Sequence, residues 1–204
     1  MEKLKKYSCL IIGLGQIGML YDIKLPKKDY TLTHANAFSK HSRFNLLGGV
    51  DSNLTNRETF SKAYKKPSFS KIKDALYLTD PDVVVISVPT NLHYSVFCEV
   101  IKNHKPLAIL CEKPISENLE KANLMCKKCK KLDIQLFVNF IRRTLPLSIE
   151  IKKRIETNKI KKPIRVNVWY SKGLLHNASH AFDLMTFWFG NCKKVKSVKY
   201  IREI

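Results

Sequence analysis

Several short stretches of this sequence carry residue types able to do chemistry. Gly13-Leu14-Gly15-Gln16-Ile17-Gly18 has the GxGxxG form and follows an apolar run at 7–12. Glycines in this spacing allow a tight turn, close approach of the backbone to a pyrophosphate, and packing of a helix on a strand. The amides of the loop, Gln16 and Ile17 included, then point at the phosphates from the first turn of a helix. The pattern alone is unspecific and fits a plain strand-to-helix turn, but its place between a strand and a helix points to dinucleotide binding.

Asp51 closes the next apolar run, at 44–50. A carboxylate there accepts hydrogen bonds from the adenosine ribose hydroxyls and repels a 2′-phosphate, which favours NAD. Its distance from the glycines exceeds the usual spacing of about twenty residues, and a loop at 24–33 matches the excess. A turn or helix-capping aspartate is the alternative. Ser52 and Arg57 leave NADP open.

Val88-Pro89-Thr90-Asn91-Leu92-His93 follows a β-branched run at 83–88. Ligands of open α/β sheets bind at that edge, so Pro89, Thr90 and Asn91 are candidates for the nicotinamide ribose. His93 reads equally as a ligand contact or as a histidine satisfied at a helix start. Cys111-Glu112-Lys113-Pro114 ends another apolar strand. Glu112 and Lys113 are either a strand-end ion pair or groups facing a cleft, where Lys113 could hold a substrate hydroxyl and help to move a proton. In 175–183, His180 and Asp183 share a helix face, and an imidazole so placed suits general base work on a hydroxyl. His176 and His180 are four apart, but a helix starting near Ser179 spoils metal-ligand geometry, so no metal is expected.

The elements that must position these groups alternate. Strands are expected at 7–12, 44–50, 83–88, 107–111 and 134–138, with a short extended piece at 67–70. Helices are expected from 17, at 34–41, 55–64, 71–78 and 92–103, and at 116–131 with Ser116 as cap and Leu119, Ala122 and Met125 inward. This alternation implies an α/β, Rossmann-type doubly wound parallel sheet over 1–140. The pattern changes after Phe140. Helices at 148–157 and 179–189 and strands at 164–170 and 195–201 read as the start of a second α/β domain over 141–204.

Composition narrows the class. With 45% hydrophobic residues, 7 Gly and 8 Pro in 204 residues, a packed core is expected. The lysines behind a net charge of +20 are spread along the chain rather than gathered on one element, which speaks for a solvated surface and against specific nucleic-acid binding. No apolar run is long enough to span a membrane. Gly13, Gly15 and Gly18 break the N-terminal apolar run before it could serve as a signal peptide. The six cysteines show no disulfide framework, and Cys126-x-x-Cys129 lies inside a helical pattern. A cytoplasmic protein is expected.

Taken in order, these pieces resemble the glucose–fructose oxidoreductase, inositol dehydrogenase and rhizopine catabolism family (Gfo/Idh/MocA). The likeness runs from about Tyr7 to Gly190. Glu112-Lys113-Pro114 followed by the His180–Asp183 helix is its specific part. Asn139, Arg142, Arg143 and Pro146 look like the family's passage into its second domain. The resemblance implies NAD(P)-dependent hydride transfer to or from a sugar, nucleotide sugar or polyol carbon, with Lys113 and His180 as the catalytic pair. Glu112 joins the cofactor residues, and Asn139, Arg142, His176 and Asp183 fall on the substrate side. His176 stands where the family often has Asp. Residues 170–177 look most like members from surface-polysaccharide biosynthesis. Family members are longer, which leads to the expectation of a C-terminally shortened chain: an enzyme, a non-catalytic dinucleotide-binding remnant, or half of a split enzyme completed by another chain. The family also tends to form homo-oligomers.

Overall fold

The structure, a computed structural model, describes residues 5–26 and 29–194. The chain divides into two compact units, Met1–Asn139 and Phe140–Ile204.

The first unit runs β1 (Tyr7–Ile12), α1 (His34–Lys40), β2 (Phe44–Val50), α2 (Leu54–Tyr64), β3 (Ser68–Phe69), α3 (Ile72–Thr79), β4 (Val83–Ile86), α4 (His93–Asn103), β5 (Ala108–Cys111), α5 (Leu119–Leu132) and β6 (Gln135–Val138). The sheet order is β3-β2-β1-β4-β5-β6, with parallel neighbours throughout. Alternate residues of β1 feed the two faces, as strand geometry requires. Cys9 and Ile11 pack with Leu46, Phe60 and Val85. Leu10 and Ile12 pack with Val84, Ile86, Phe97 and Ile109. Such double burial is why β1 and β4 read as unbroken apolar runs. The chain leaves β1 for β2 on one side and later returns to β4 on the other, so a crevice opens where the order reverses.

The helix expected from Ile17 is discontinuous. Turns at 16–19 lead into a single 3-10 turn, Leu20–Asp22. The carbonyls of Ile17 and Gly18 accept from His34 N–H (3.1 Å) and Ala35 N–H (2.9 Å), the first amides of α1. With those carbonyls taken, the first piece cannot continue by its own ladder, and α1 carries the element on. His34 stands where the fourth residue after Ile17 would stand in an unbroken helix, so the excursion takes out 13 residues. Gly18 and Asp51, 33 apart in sequence, are then 20 apart along the element, the ordinary dinucleotide spacing. Buried Asp22 closes the excursion. It accepts from Leu32 N–H (2.7 Å), the Thr33 hydroxyl (2.7 Å) and Asn36 Nδ2 (2.8 Å).

Other expectations shift in detail. Asn118, not Ser116, caps α5, accepting from the amides of Glu120 and Lys121. Leu119 is then the first helical residue and is exposed rather than inward, while Met125 is buried.

The second unit holds a 3-10 turn (Ile141–Thr144), α6 (Pro146–Glu156), a π-helical turn (Leu174–Ala178) and α7 (Ser179–Phe189), which ends at Gly190. Within it the Trp188 indole N–H donates to Ser148 O (2.9 Å), and Lys152 Nζ lies 4.2 Å from the Phe187 ring centre. The strand expected at 164–170 is not formed, because no strand among the described residues of this unit offers it a ladder. The strand expected at 195–201 lies outside the described residues. No helix among the described residues is long and apolar enough to cross a membrane.

Candidate functional site

A cavity of about 450 Å³ opens at the carboxyl ends of β1, β2 and β4. Ile12, Gly13 and Gly15 line it from β1, Val50, Asp51 and Ser52 from β2, and Ser87, Val88 and Pro89 from β4, with Asn56, Ser70, Ile72, Leu92 and Val96 around them. Gly13 has φ +98°, and an added Cβ would come within 2.6 Å of the Ser87 backbone, so the turn needs glycine. A Cβ on Gly18 would meet Gly13 O at 2.0 Å, so this glycine serves packing inside the loop. At Gly15 a Cβ meets nothing within 4 Å and would enter space a ligand could fill. The amides of Gly15, Gln16 and Ile17 make no hydrogen bond among the described residues. They remain as donors for an anion.

Asp51 bridges the glycine loop and the start of α2. Its Oδ2 accepts from Leu14 N–H (2.8 Å) and Asn56 Nδ2 (3.2 Å), and its Oδ1 accepts from Asn53 N–H (2.8 Å). Arg57 Nη1 donates to the carbonyls of Asp51 (2.9 Å) and Ser52 (2.8 Å). The guanidinium is thus turned to its own loop.

The expected nicotinamide-end residues fall less simply. Pro89 lines the cavity, whereas Thr90, Asn91, His93, Glu112 and Lys113 are not part of its wall. His93 is fully buried, with Nδ1 3.0 Å from Pro114 O and Nε2 2.9 Å from Val88 O. It ties the end of β4 to the end of β5, and both ring nitrogens are engaged. Glu112 is a buried hub. Its Oε1 meets His34 Nε2 (2.9 Å) and Asn139 Nδ2 (2.6 Å), and its Oε2 accepts from Lys113 N–H (3.2 Å). Burial by itself would push this carboxyl up, but the bonds from His34 and Asn139 outweigh it and hold it below the ordinary carboxylate range. Asn139, expected on the substrate side, is thus engaged by Glu112. His34 and Asp22 escaped the sequence reading. The signal for His34 was its place after the glycines once the excursion is removed, which the sequence alone does not mark.

In the second unit, Arg143 and Asp183 form a two-pronged pair, Nε to Oδ2 and Nη2 to Oδ1, both 2.6 Å. Asp183, expected to face substrate, therefore serves Arg143. His180 packs edge-on to the Phe140 ring with centres 6.1 Å apart, while His176 is exposed in the π-helical turn. A second cavity of about 450 Å³ is lined by Arg142, Val168, Trp169, Tyr170, Ser171, Asn177 and Ala181. No cluster of three or more potential metal ligands occurs among the described residues.

Comparison with known proteins bears on these geometries. The family model described as "Oxidoreductase family, NAD-binding Rossmann fold" (GFO_IDH_MocA) matches residues 7–140. The myo-inositol 2-dehydrogenase of Thermotoga maritima is 30% identical over 155 residues, which is 75% of this chain and 42% of that protein. The glucose-6-phosphate 3-dehydrogenase of Bacillus subtilis is 26% identical over 139 residues, 68% of this chain and 39% of that protein. A crystal structure of a candidate myo-inositol dehydrogenase from Sinorhizobium meliloti 1021 superposes with a TM-score of 0.71 at 26% identity, covering 91% of this chain and 56% of that one. The chain thus spans about two fifths of the length of these two curated relatives.

Proposed function

Since the chain belongs to the Gfo/Idh/MocA oxidoreductase family, with its NAD-binding Rossmann fold, we propose that it binds NAD(H) in the first-unit cavity and serves hydride transfer on a hydroxyl-bearing carbon of a sugar or cyclic polyol. The observation that carries this reading is the cavity at the sheet's reversal point. Gly15 leaves it open, unbonded loop amides edge it, and Asp51 stands on its rim. The residues present fit the adenosine and pyrophosphate half of a dinucleotide. Asp51 favours the unphosphorylated ribose, so NAD(H) is preferred over NADP(H).

NAD, when bound, supplies the acceptor for the hydride. Lys113, at the carboxyl end of β5, is assigned to hold the substrate hydroxyl oxygen. His180, in the first turn of α7, is assigned to take the hydroxyl proton as the carbon is oxidised. Glu112 holds the Lys113 backbone amide and so steadies the lysine's point of departure. The relatives named for inositol and for glucose 6-phosphate support a cyclic, polyhydroxylated substrate. The likeness of 170–177 to surface-polysaccharide enzymes makes a nucleotide sugar the finer proposal.

The test is a titration with NADH and NADPH, followed by cofactor fluorescence and melting temperature, since a ligand of the native state raises its apparent stability. NADH should raise the melting temperature more than NADPH. Gly15→Arg should abolish the shift, and Asp51→Ala should weaken NADH binding and narrow the preference. No shift with either cofactor sinks the proposal.

A further inference from the structure

Arg142 and Arg143 are neighbours in one 3-10 turn, yet their surroundings differ. Arg143 is spent on Asp183, through two bonds of 2.6 Å. The Arg142 guanidinium makes no hydrogen bond, ion pair or ring contact among the described residues, and it forms part of the wall of the second-unit cavity. No carboxylate belongs to that wall. The volume, about 450 Å³, falls in the range of small-molecule sites.

The rest of the wall suits a hydroxylated ring. Trp169 and Tyr170 offer aromatic faces of the kind that cover the C–H side of a pyranose or cyclitol, and Trp169 is 96% exposed. Ser171 and Asn177 offer hydrogen-bonding groups for hydroxyls. A guanidinium fork matches the two oxygens of a carboxylate or phosphate and cannot lose its charge. Without a carboxylate in the wall, a cationic ligand would find no opposite charge to offset the Arg142 guanidinium.

We propose that this cavity takes a sugar or polyol bearing an anionic group, carboxylate or phosphate, with Arg142 forking the anion and Trp169 lying along the ring. This names a substrate class for the reading given above and rests on the second unit being the substrate side. Its test needs neither turnover nor cofactor, so the two can fail separately.

The chain has two tryptophans, Trp169 and Trp188. Tryptophan emission of the full chain would be titrated with D-glucuronate, D-glucose 6-phosphate, D-glucose and myo-inositol, with inorganic phosphate as the control. Either or both of the anionic sugars should change the emission saturably, at least tenfold more tightly than the neutral pair and more tightly than phosphate alone. Tighter glucuronate binding identifies a carboxylate, and tighter glucose 6-phosphate binding a phosphate. Arg142→Gln should erase the discrimination while its melting curve stays unchanged, and Trp169→Phe should remove most of the emission change. Equal binding of neutral and anionic sugars overturns the proposal. So does discrimination that survives in Arg142→Gln, phosphate alone binding as tightly as the sugars, or no binding by any of them.

Discussion

In the first unit Phe60 and Phe97 are fully buried, on opposite faces of the sheet; in the second, Phe182 and Phe189 remain 56% and 43% exposed on one helix. The contrast follows from architecture. Six parallel strands satisfy one another's backbone groups and present two faces, each covered by helices, so apolar residues of either parity find cover. Two helices such as α6 and α7 share one seam, and the residues off that seam stay outside. The buried apolar set of the described residues accordingly lies almost wholly in the first unit, with Ala178 as its second-unit member.

This contrast can be tested because its halves report through different signals. Both tryptophans lie in the second unit, whereas far-UV circular dichroism is dominated by the larger first one. The largest effect is expected from Gly18→Ala. Its Cβ would sit 2.0 Å from Gly13 O, and a backbone clash of that kind costs on the order of 5 kcal/mol. The dichroism of the first unit should collapse at ambient temperature. An unchanged melt would show that the loop relaxes freely and that its packing does not hold the sheet.

Next comes a matched pair of truncations. Phe97→Ala removes a fully buried ring and should cost about 3–5 kcal/mol, read as a lower urea midpoint by dichroism. Phe182→Ala, on a half-exposed site, should cost less than about 1 kcal/mol. If Phe97→Ala moves the tryptophan transition as far as the dichroism one, the units unfold as a single block and the comparison loses its basis.

Within the second unit, Arg143→Ala strands a carboxylate whose side chain is 5% exposed. Full burial of both partners would make this about 3–5 kcal/mol. Arg143 is itself 41% exposed, and solvent screening reduces the figure to about 2 kcal/mol. The tryptophan-detected midpoint should fall by that amount, while Arg142→Ala should leave it within about 0.5 kcal/mol. Equal effects of the two arginines would erase the distinction between the spent and the available guanidinium.

The smallest effect concerns Glu112 and pH. Against the effect of burial, the bonds from His34 and Asn139 hold its carboxyl lower in the folded chain than in the unfolded one, where an ordinary glutamate titrates at about 4.3. The stability it contributes is therefore present above about pH 4.3 and is lost as pH falls through the lowered folded value. Glu112→Gln should lower the dichroism midpoint at pH 7 by the equivalent of about 1 kcal/mol. The gap to the unmodified chain should close as the pH falls through that lowered folded value. A gap that persists at low pH would mean that the stabilisation does not come from the charge of Glu112.

Much of this architecture was legible beforehand, for reasons that differ by element. β1 and β4 announced themselves because strands buried on both faces need apolar runs, and the GxGxxG turn because only glycine tolerates the positive φ at Gly13. Helix α4 followed from apolar residues on one side of 92–103, and α7 from an apolar stretch ending at Gly190. The strand expected at 164–170 carries a genuine alternating pattern, but a ladder needs a neighbour, and none lies among the described residues of that unit. Leu119 was misplaced because the cap fell at Asn118, which shifted the helix start and with it the inward face.

The sequence by itself determined the parallel α/β sheet through the alternation of strand and helix patterns along the first unit, and the glycine turn and the carboxylate at Asp51 through residue types within short segments. Tertiary structure alone decided where those groups point. It joined the carbonyls of Ile17 and Gly18 to the amides of His34 and Ala35 across the excursion, turned His93 into a brace between β4 and β5, and gathered His34 and Asn139 on Glu112. Hydrogen bonds between residues far apart in the chain leave no local period or propensity to be read, because the cost of an unpaired buried polar group is met only once the chain has closed.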